Sequence, residues 1–393
     1  MKIDEEKIKE VLTRNVEKMI GQEELERKLR SGRRLRIKHG VDATSSLLHL
    51  GHAVNFWKMR EFQELRHKVI FLIGDFTTQI GDPTGRLEAR PEISSRQAVE
   101  NAKTYLAQAS KILINKPSLL EVRKNSEWYK KMNILNFLKL AKKITHARLI
   151  KREMFQARIS KNQEIFTHEL LYPIFQGYDS VMIKSDLTII GSDQLFNEML
   201  GRHFQEAFGQ QPQTIMTTVI TPGLDGGVKM SKSLGNYVAI TDTPNDQFGK
   251  IMSIPDALIG TYLTVYTKLS LDEILALKKL SFLKAKERLA YEIVKLYHGA
   301  NKAEEARRFF NSTFREKKLP DDLPSYKFLS GKETLGEILR KAGLVPSAAE
   351  YRRLVRAGAV EINQRKVSDP TFKPLNPAVV RIGKKKFLKI VPS

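Results

Sequence analysis

The run HKVIFLIGDF, residues 67–76, is apolar without interruption from Val69 to Ile73 and breaks at Gly74 into a polar turn. A strand exposed on one face would alternate polar and apolar residues. An unbroken run this short fits a strand buried on both faces, as in a parallel sheet. SDLTIIGSDQ (185–194) has the same form and ends in the same way, in glycine and a polar loop. Upstream, RLRIKHGVDAT (34–44) reads as a strand running into a glycine turn. Val54, Trp57, Met59, Phe62 and Leu65 then mark a helix after Gly51. Strand, helix and strand in this order predict an α/β class domain with a doubly wound parallel sheet, which takes its ligands at the carboxyl ends of the strands.

The flanking sequence has a different character. Residues 1–30 keep helical spacing through Ile3, Ile8, Val11, Leu12, Val16, Met19 and Ile20. From about 94 to 160 the chain reads as helical and basic, with no strong strand signal, and after 245 it is helical again. REKKLPDDLPSYKFLSGKE (315–333) is rich in Pro, Gly and charge and reads as a linker. Beyond it come two helical stretches, 335–342 and 347–357, and the β-like pieces AVEINQRKV and AVVRIGKKKFLKIV. The predicted organisation is a Rossmann-like domain over 1–244 with an inserted helical segment near 94–160, a helical domain over 245–320, and a small α+β domain over 334–393.

Charge narrows the partners. The 393 residues carry 67 Lys and Arg against 44 Asp and Glu, a net +23. A field of that sign attracts polyanions, nucleic acid above all. Residues 334–393 hold 13 basic and four acidic residues, so this short tail supplies +9 of the total. With no cysteine there is no disulfide, no thiolate nucleophile and no cysteine-ligated zinc. No stretch approaches the roughly 18 apolar residues of a membrane span, and the N-terminus MKIDEEKIKEVL is no signal peptide. The expected location is cytoplasmic.

Two motifs carry chemistry. His49-Leu50-Gly51-His52 stands at the start of the helix after the first strand. Gly51 lets a ligand approach the backbone, and the helix terminus with its imidazoles can stabilise phosphate charge. Alone, this motif is better read as an ordinary helix start, with one exposed and one core histidine. GGVKMSKSLGN (226–236) sets Lys229 and Lys232 on either side of Met230-Ser231 in a Gly-flanked loop. Two lysines on such a loop can close over a triphosphate and stabilise the charge developing on a leaving pyrophosphate.

Together, in this order on an α/β chain, the two motifs resemble the signatures of the class I aminoacyl-tRNA synthetases. GVDATSSLLHLGH (40–52), IGDFTTQIGDPTGR (73–86), HELLYPIFQGYDS (168–180) and IIGSDQLFN (189–197) further resemble the active-site segments of the bacterial tyrosyl type. The likeness is strongest to the branch with Lys in place of Tyr in the first strand. It extends to a C-terminal RNA-binding module of the type named after a small-subunit ribosomal protein.

That resemblance implies a tyrosine–tRNA ligase. Tyrosine would be activated by in-line attack of its carboxylate on the α-phosphorus of ATP, with Mg2+ carried by ATP and no metal bound by the protein itself. Thr44, His49, His52, Lys229 and Lys232 match the catalytic positions. Asp42, Gly51, Asp193 and Ser231 join them around ATP, with Gly51 under the adenine and Asp193 on the ribose. Lys38, Thr77, Asp82, Tyr172, Gln176, Asp179 and Gln194 match the tyrosine pocket. There Asp82, Tyr172 and Gln176 hold the ammonium and Asp179 accepts from the phenol. The implied partners are tyrosine tRNA and a second copy of the chain, the 94–160 segment contributing to the dimer interface.

Three positions depart from the family pattern: Lys38, Ala43 in place of proline, and His39. A charged lysine cannot accept from a phenol, so Lys38 is expected to pair with Asp179 or another carboxylate. In the tail, PSAAEYRRLVRAG (346–358) puts Arg352, Arg353 and Arg356 on or near one helical face, suited to phosphates. Lys103, Lys111, Lys142, Lys143, Arg148, Lys151 and Arg152 are candidates for the acceptor stem, or a solvated basic face. The rival readings are a tryptophan synthetase on the same scaffold and a non-catalytic RNA-binding protein.

Overall fold

The computed structural model describes residues 5–42, 47–83, 93–231, 234–315, 323–363, 365–383 and 386–393. The chain divides into two compact units, Met1–Arg307 and Arg308–Ser393.

The first unit is built on a six-stranded sheet. Its strands are β1 (Val16–Ile20), β2 (Arg36–Val41), β3 (Lys68–Ile73), β4 (Leu120–Lys124), β5 (Leu187–Gly191) and β6 (Thr214–Thr218), in the order β1-β6-β5-β2-β3-β4. All pairings are parallel except β1 with β6. The apolar runs occupy the centre as expected, with Ile37, Val69, Ile70, Phe71, Leu187 and Ile189 all buried. From β2 the chain winds outward through β3 to β4, then returns to the other side of β2 with β5 and β6. The direction reverses between β2 and β5, so their carboxyl ends open a crevice at Val41 and Gly191, the usual ligand position of such sheets.

Two edge strands fall where helix was expected. β1 interrupts the 1–30 segment, whose described residues form helices over Glu5–Thr13 and Gln22–Arg30. Asn15 and Gly21, with φ of 58° and 83°, turn the backbone on either side of it. β4 lies inside the 94–160 segment. The helices of 244–310 follow as expected, but up to Arg307 they belong to the first compact unit.

The second unit holds a five-stranded sheet of β7 (Ser325–Phe328), β8 (Val360–Ile362), β9 (Arg365–Lys366), β10 (Ala378–Ile382) and β11 (Lys386–Pro392), ordered β7-β11-β10-β8-β9. Helices Leu335–Lys341 and Ala348–Arg356 pack Leu335, Ile338, Leu339 and Val355 against Val360, Val380 and Ile390. β7 lies within the stretch read as a linker. It pairs in parallel with β11, so the ordered module starts before residue 334.

Candidate active site

Two cavities lie at the reversal of the sheet. One, of about 320 Å³, is lined by His49, Gly51, His52, Asp193, Thr218 and Lys229 among others. The other, of about 250 Å³, is lined by Lys38, Asp42, Thr77, Asp82, Tyr172, Gln176, Asp179 and Glu198. Gly40, Val41, Ile190 and Gln194 belong to both linings. The common wall is thus the ends of β2 and β5.

The first cavity is shaped by the histidine motif. His49 caps the helix Leu50–Glu64, and His52 Nδ1 accepts from the His49 backbone N–H at 3.4 Å. The two rings lie 3.8 Å apart. A Cβ on Gly51 would come within 3.1 Å of the His49 ring, so a side chain there would press on the imidazole. A short antiparallel bridge ties this segment to the chain after the lysine loop: Leu50 N donates to Val238 O at 3.0 Å and Ile240 N to Leu48 O at 3.1 Å. Asn236 fastens the loop itself, accepting from Ser231 N at 2.8 Å and donating to Asp225 at 3.2 Å. Lys229 is exposed, with its Nζ 3.8 Å from Asp193 Oδ2. Thr44 and Lys232 lie outside the described residues.

Asp179, on the helix Thr167–Ile183, is buried and lines the second cavity. Its carboxylate accepts from Tyr129 OH at 2.8 Å, Trp128 Nε1 at 3.0 Å and Asn125 Nδ2 at 3.3 Å. Burial pushes this carboxyl up to about 7, while the Lys38 ammonium and the three donors hold it down. Two oxygens offer about four acceptor directions, so one remains for a ligand donor. In the same lining, Asp42 accepts from Tyr172 OH at 2.9 Å and Thr77 Oγ1 at 2.8 Å. A Cβ on Gly74 would lie 2.1 Å from Asp42, so only glycine fits that approach.

Comparison with known proteins follows this geometry. The family model described as tRNA synthetases class I (W and Y) matches residues 29–315. The chain belongs to the class I tRNA synthetases of this W and Y group. The S4 domain model matches residues 335–374. A tyrosine–tRNA ligase of Oleidesulfovibrio alaskensis is 46% identical, over 98% of this chain and 99% of its own. That of Carboxydothermus hydrogenoformans is 45% identical, over 100% and 99%. Among solved structures, tyrosyl-tRNA synthetase from Archaeoglobus fulgidus complexed with L-tyrosine shares the fold, with a TM-score of 0.61 at 21% identity over 77% of this chain and 99% of that one. A C-terminally truncated Aspergillus nidulans mitochondrial tyrosyl-tRNA synthetase gives 0.64 at 21%, over 79% and 93%.

Against the sequence reading, the synthetase differs in two details, at Asp42 and Arg152. Asp42, expected near ATP, lines the second cavity, because Tyr172 and Thr77 draw its carboxylate there. Of the alternatives expected for Lys38, the structure shows a carboxylate other than Asp179: Lys38 pairs with Glu198 at 2.8 Å and donates to Ser180 Oγ at 2.7 Å. Arg152, a candidate for the acceptor stem, is buried with its guanidinium over the rings of Phe155 and Phe196. Arg352, Arg353 and Arg356 are exposed on the helix Ala348–Arg356, with Arg353 bound to Glu350 at 2.7 Å. The sequence reading missed Asn125, Trp128 and Tyr129 around Asp179, and Glu198 beside Lys38. Asn125 could have been found only by placing β4, since it follows that strand directly.

Proposed function

We propose that this synthetase is a tyrosine–tRNA ligase: the second cavity takes L-tyrosine and the first takes ATP. The observation that carries the reading is the buried Asp179 acceptor in a cavity that shares a wall with the one lined by His49, His52 and Lys229. A carboxylate oxygen of tyrosine attacks the α-phosphorus of ATP, the bond from that phosphorus to the bridging oxygen breaks, and pyrophosphate leaves. In the second step a ribose hydroxyl of the tRNA's terminal adenosine attacks the tyrosyl carbonyl, and AMP leaves.

In this reading Asp82, Tyr172 and Gln176 hold the ammonium, with charge-assisted bonds to Asp82. Thr44, His49 and His52 contact the phosphates, with Gly51 beneath the adenine and Asp193 on the ribose. Lys229, Ser231 and Lys232 act on the pyrophosphate as charge develops there. Catalysis is positioning and electrostatics, with no covalent enzyme intermediate. Mg2+ arrives on the ATP phosphates as part of the substrate. Arg352, Arg353 and Arg356 meet the phosphates of tyrosine tRNA.

A phenylalanine in this pocket would leave the Asp179 acceptor without its ligand partner, which is the physical basis of discrimination. The assembly we propose is a homodimer. Ile134, Leu135 and Leu138 are exposed together on the helix Ile134–Ala141, an apolar face suited to a second copy. Among the described residues no helix is long and apolar enough to cross a membrane, in keeping with a cytoplasmic role.

Pyrophosphate exchange tests the reading. It should depend on tyrosine and be negligible with tryptophan, phenylalanine or no amino acid. Exchange driven by tryptophan would overturn the assignment of the pocket, and no exchange with any amino acid would overturn the enzymatic reading.

A further inference from the structure

Six polar side chains in and beside the second cavity, from Lys38 to Asp82, form one continuous chain of hydrogen bonds. Lys38 Nζ donates to Glu198, 2.9 Å from Oε1 and 2.8 Å from Oε2. Glu198 also accepts from Gln176 Nε2 at 2.9 Å and from Gln213 Nε2 at 2.8 Å. Asn197 Nδ2 donates to Gln176 Oε1 at 2.7 Å and to Gln194 Oε1 at 3.1 Å. Gln194 Nε2 donates in turn to Asp82 Oδ2 at 2.9 Å.

An ionised carboxylate only accepts, and an ammonium only donates. The carboxylates at the two ends therefore force both glutamine amides to aim their NH2 groups outward, at Glu198 and Asp82. Both carbonyls then face the NH2 group of Asn197. Lys38 and Glu198 are both almost fully buried. A buried ion pair is seldom more stable than an apolar pair of the same size, so stability alone gives no reason to keep this one. The backbone makes room for it: a Cβ on Gly201 would lie 2.6 Å from Ser180 Oγ and 2.8 Å from Gln213 Nε2.

We infer that Glu198 is a positioning residue for the amino-acid substrate, acting through its grip on the Gln176 amide and the Lys38 ammonium. With NH2 committed to Glu198, Gln176 can present only its carbonyl oxygen to the substrate ammonium. With its ammonium held by Glu198 and Ser180, Lys38 stays a fixed cation near Asp179. This rests on the tyrosine-activation reading above.

Glu198→Leu makes the role visible. It removes the acceptor of the Gln176 NH2 group. The Gln176 amide is then free to turn over and offer NH2 to the substrate ammonium. In tyrosine-dependent exchange the tyrosine KM should rise about 10- to 100-fold, the range for losing a hydrogen bond to a charged group. The KM for ATP should stay within about twofold, since its cavity does not include Glu198.

Lys38→Met combined with Glu198→Leu removes both members of the buried pair and leaves Asp179 on its three neutral donors, so it keeps the fold even where the single variant does not. Its tyrosine KM should still be raised, because Gln176 has lost its acceptor. A wild-type tyrosine KM in the folded single variant or in the double variant would overturn the inference, leaving Glu198 as a counter-ion only. An equal rise in both KM values would overturn it as well. Absence of tyrosine-dependent exchange in the wild type would instead count against the proposed function.

Discussion

Asp179→Asn should flatten one identifiable component of the protein's pH-dependent stability. Burial raises the carboxyl from 3.8 to about 7. A carboxyl with a raised native pKa binds its proton more tightly in the folded chain than in the unfolded one. Its contribution is therefore fully present below about pH 4 and is lost as the pH rises through about 7. At 1.36 kcal/mol per unit, the loss is on the order of 4 kcal/mol between those limits. His39 and His67, buried and held down to about 4, work in the opposite sense, since their contribution is lost as the pH falls from about 6.5 to 4. They titrate alike in both proteins, so the difference between wild type and variant isolates Asp179. The assay is urea unfolding at pH 4 to 8 followed by tryptophan fluorescence. The chain's two tryptophans, Trp57 and Trp128, both lie in the first unit, so the signal reports on the unit that holds the site. The stability of the wild type relative to the variant should decline by about 4 kcal/mol from pH 4 to 8. A difference that stays constant with pH would show that Asp179 titrates like an exposed carboxyl, and the buried-acceptor argument would fail with it.

Lys232→Ala should slow adenylate formation in single-turnover kinetics and leave the tyrosine KM unchanged, because the loop acts on developing pyrophosphate charge; a raised tyrosine KM with an unchanged forward rate would remove the loop from the transition state. A chain ending at Phe310 should retain tyrosine-dependent exchange and lose tRNA charging. Ending instead at Gly331 would leave β7 without its partner β11. Unimpaired charging by the shorter chain would exclude the tail from tRNA binding. Arg352→Glu with Arg356→Glu should weaken tRNA binding and lower the slope of log affinity against log salt by about 2, roughly 0.9 for each phosphate no longer neutralised; an unchanged slope would place the phosphate-binding residues elsewhere.

What the sequence disclosed follows from where each element sits in its sheet. β2, β3 and β5 are central, and in β3 and β5 burial on both faces leaves the unbroken apolar runs that announced them. Four strands were missed: β1, β4 and β7 are edge strands, whereas β6 lies buried between β1 and β5 and went unread because three of its five residues are threonine. An edge strand keeps one side toward solvent and tolerates charge. Val16–Ile20 carries Glu17 and Lys18, Leu120–Lys124 carries Glu121, Arg123 and Lys124, and Ser325–Phe328 carries Lys327, so none has a strand-like apolar signal.

The same distinction divides the site. The histidine and lysine motifs are contiguous, and their order alone carried meaning. Asp179 could be named from its helix, but its partners come from the segment after a missed strand, about 50 residues away in sequence. Glu198 lies beside the SDQ segment, yet nothing in its neighbours along the chain shows that Lys38, 160 positions earlier, supplies its counter-charge.

The shared wall of Gly40, Val41, Ile190 and Gln194 has a consequence for how long the intermediate stays bound. In the reading proposed above, tyrosine and ATP each answer to one cavity. Their joined product spans both, so it is held by the walls of each while losing translational and rotational freedom only once. The intermediate should dissociate far more slowly than either substrate. An activated ester that is hydrolysed in water can then wait on the protein for its tRNA, and residence time becomes part of the design.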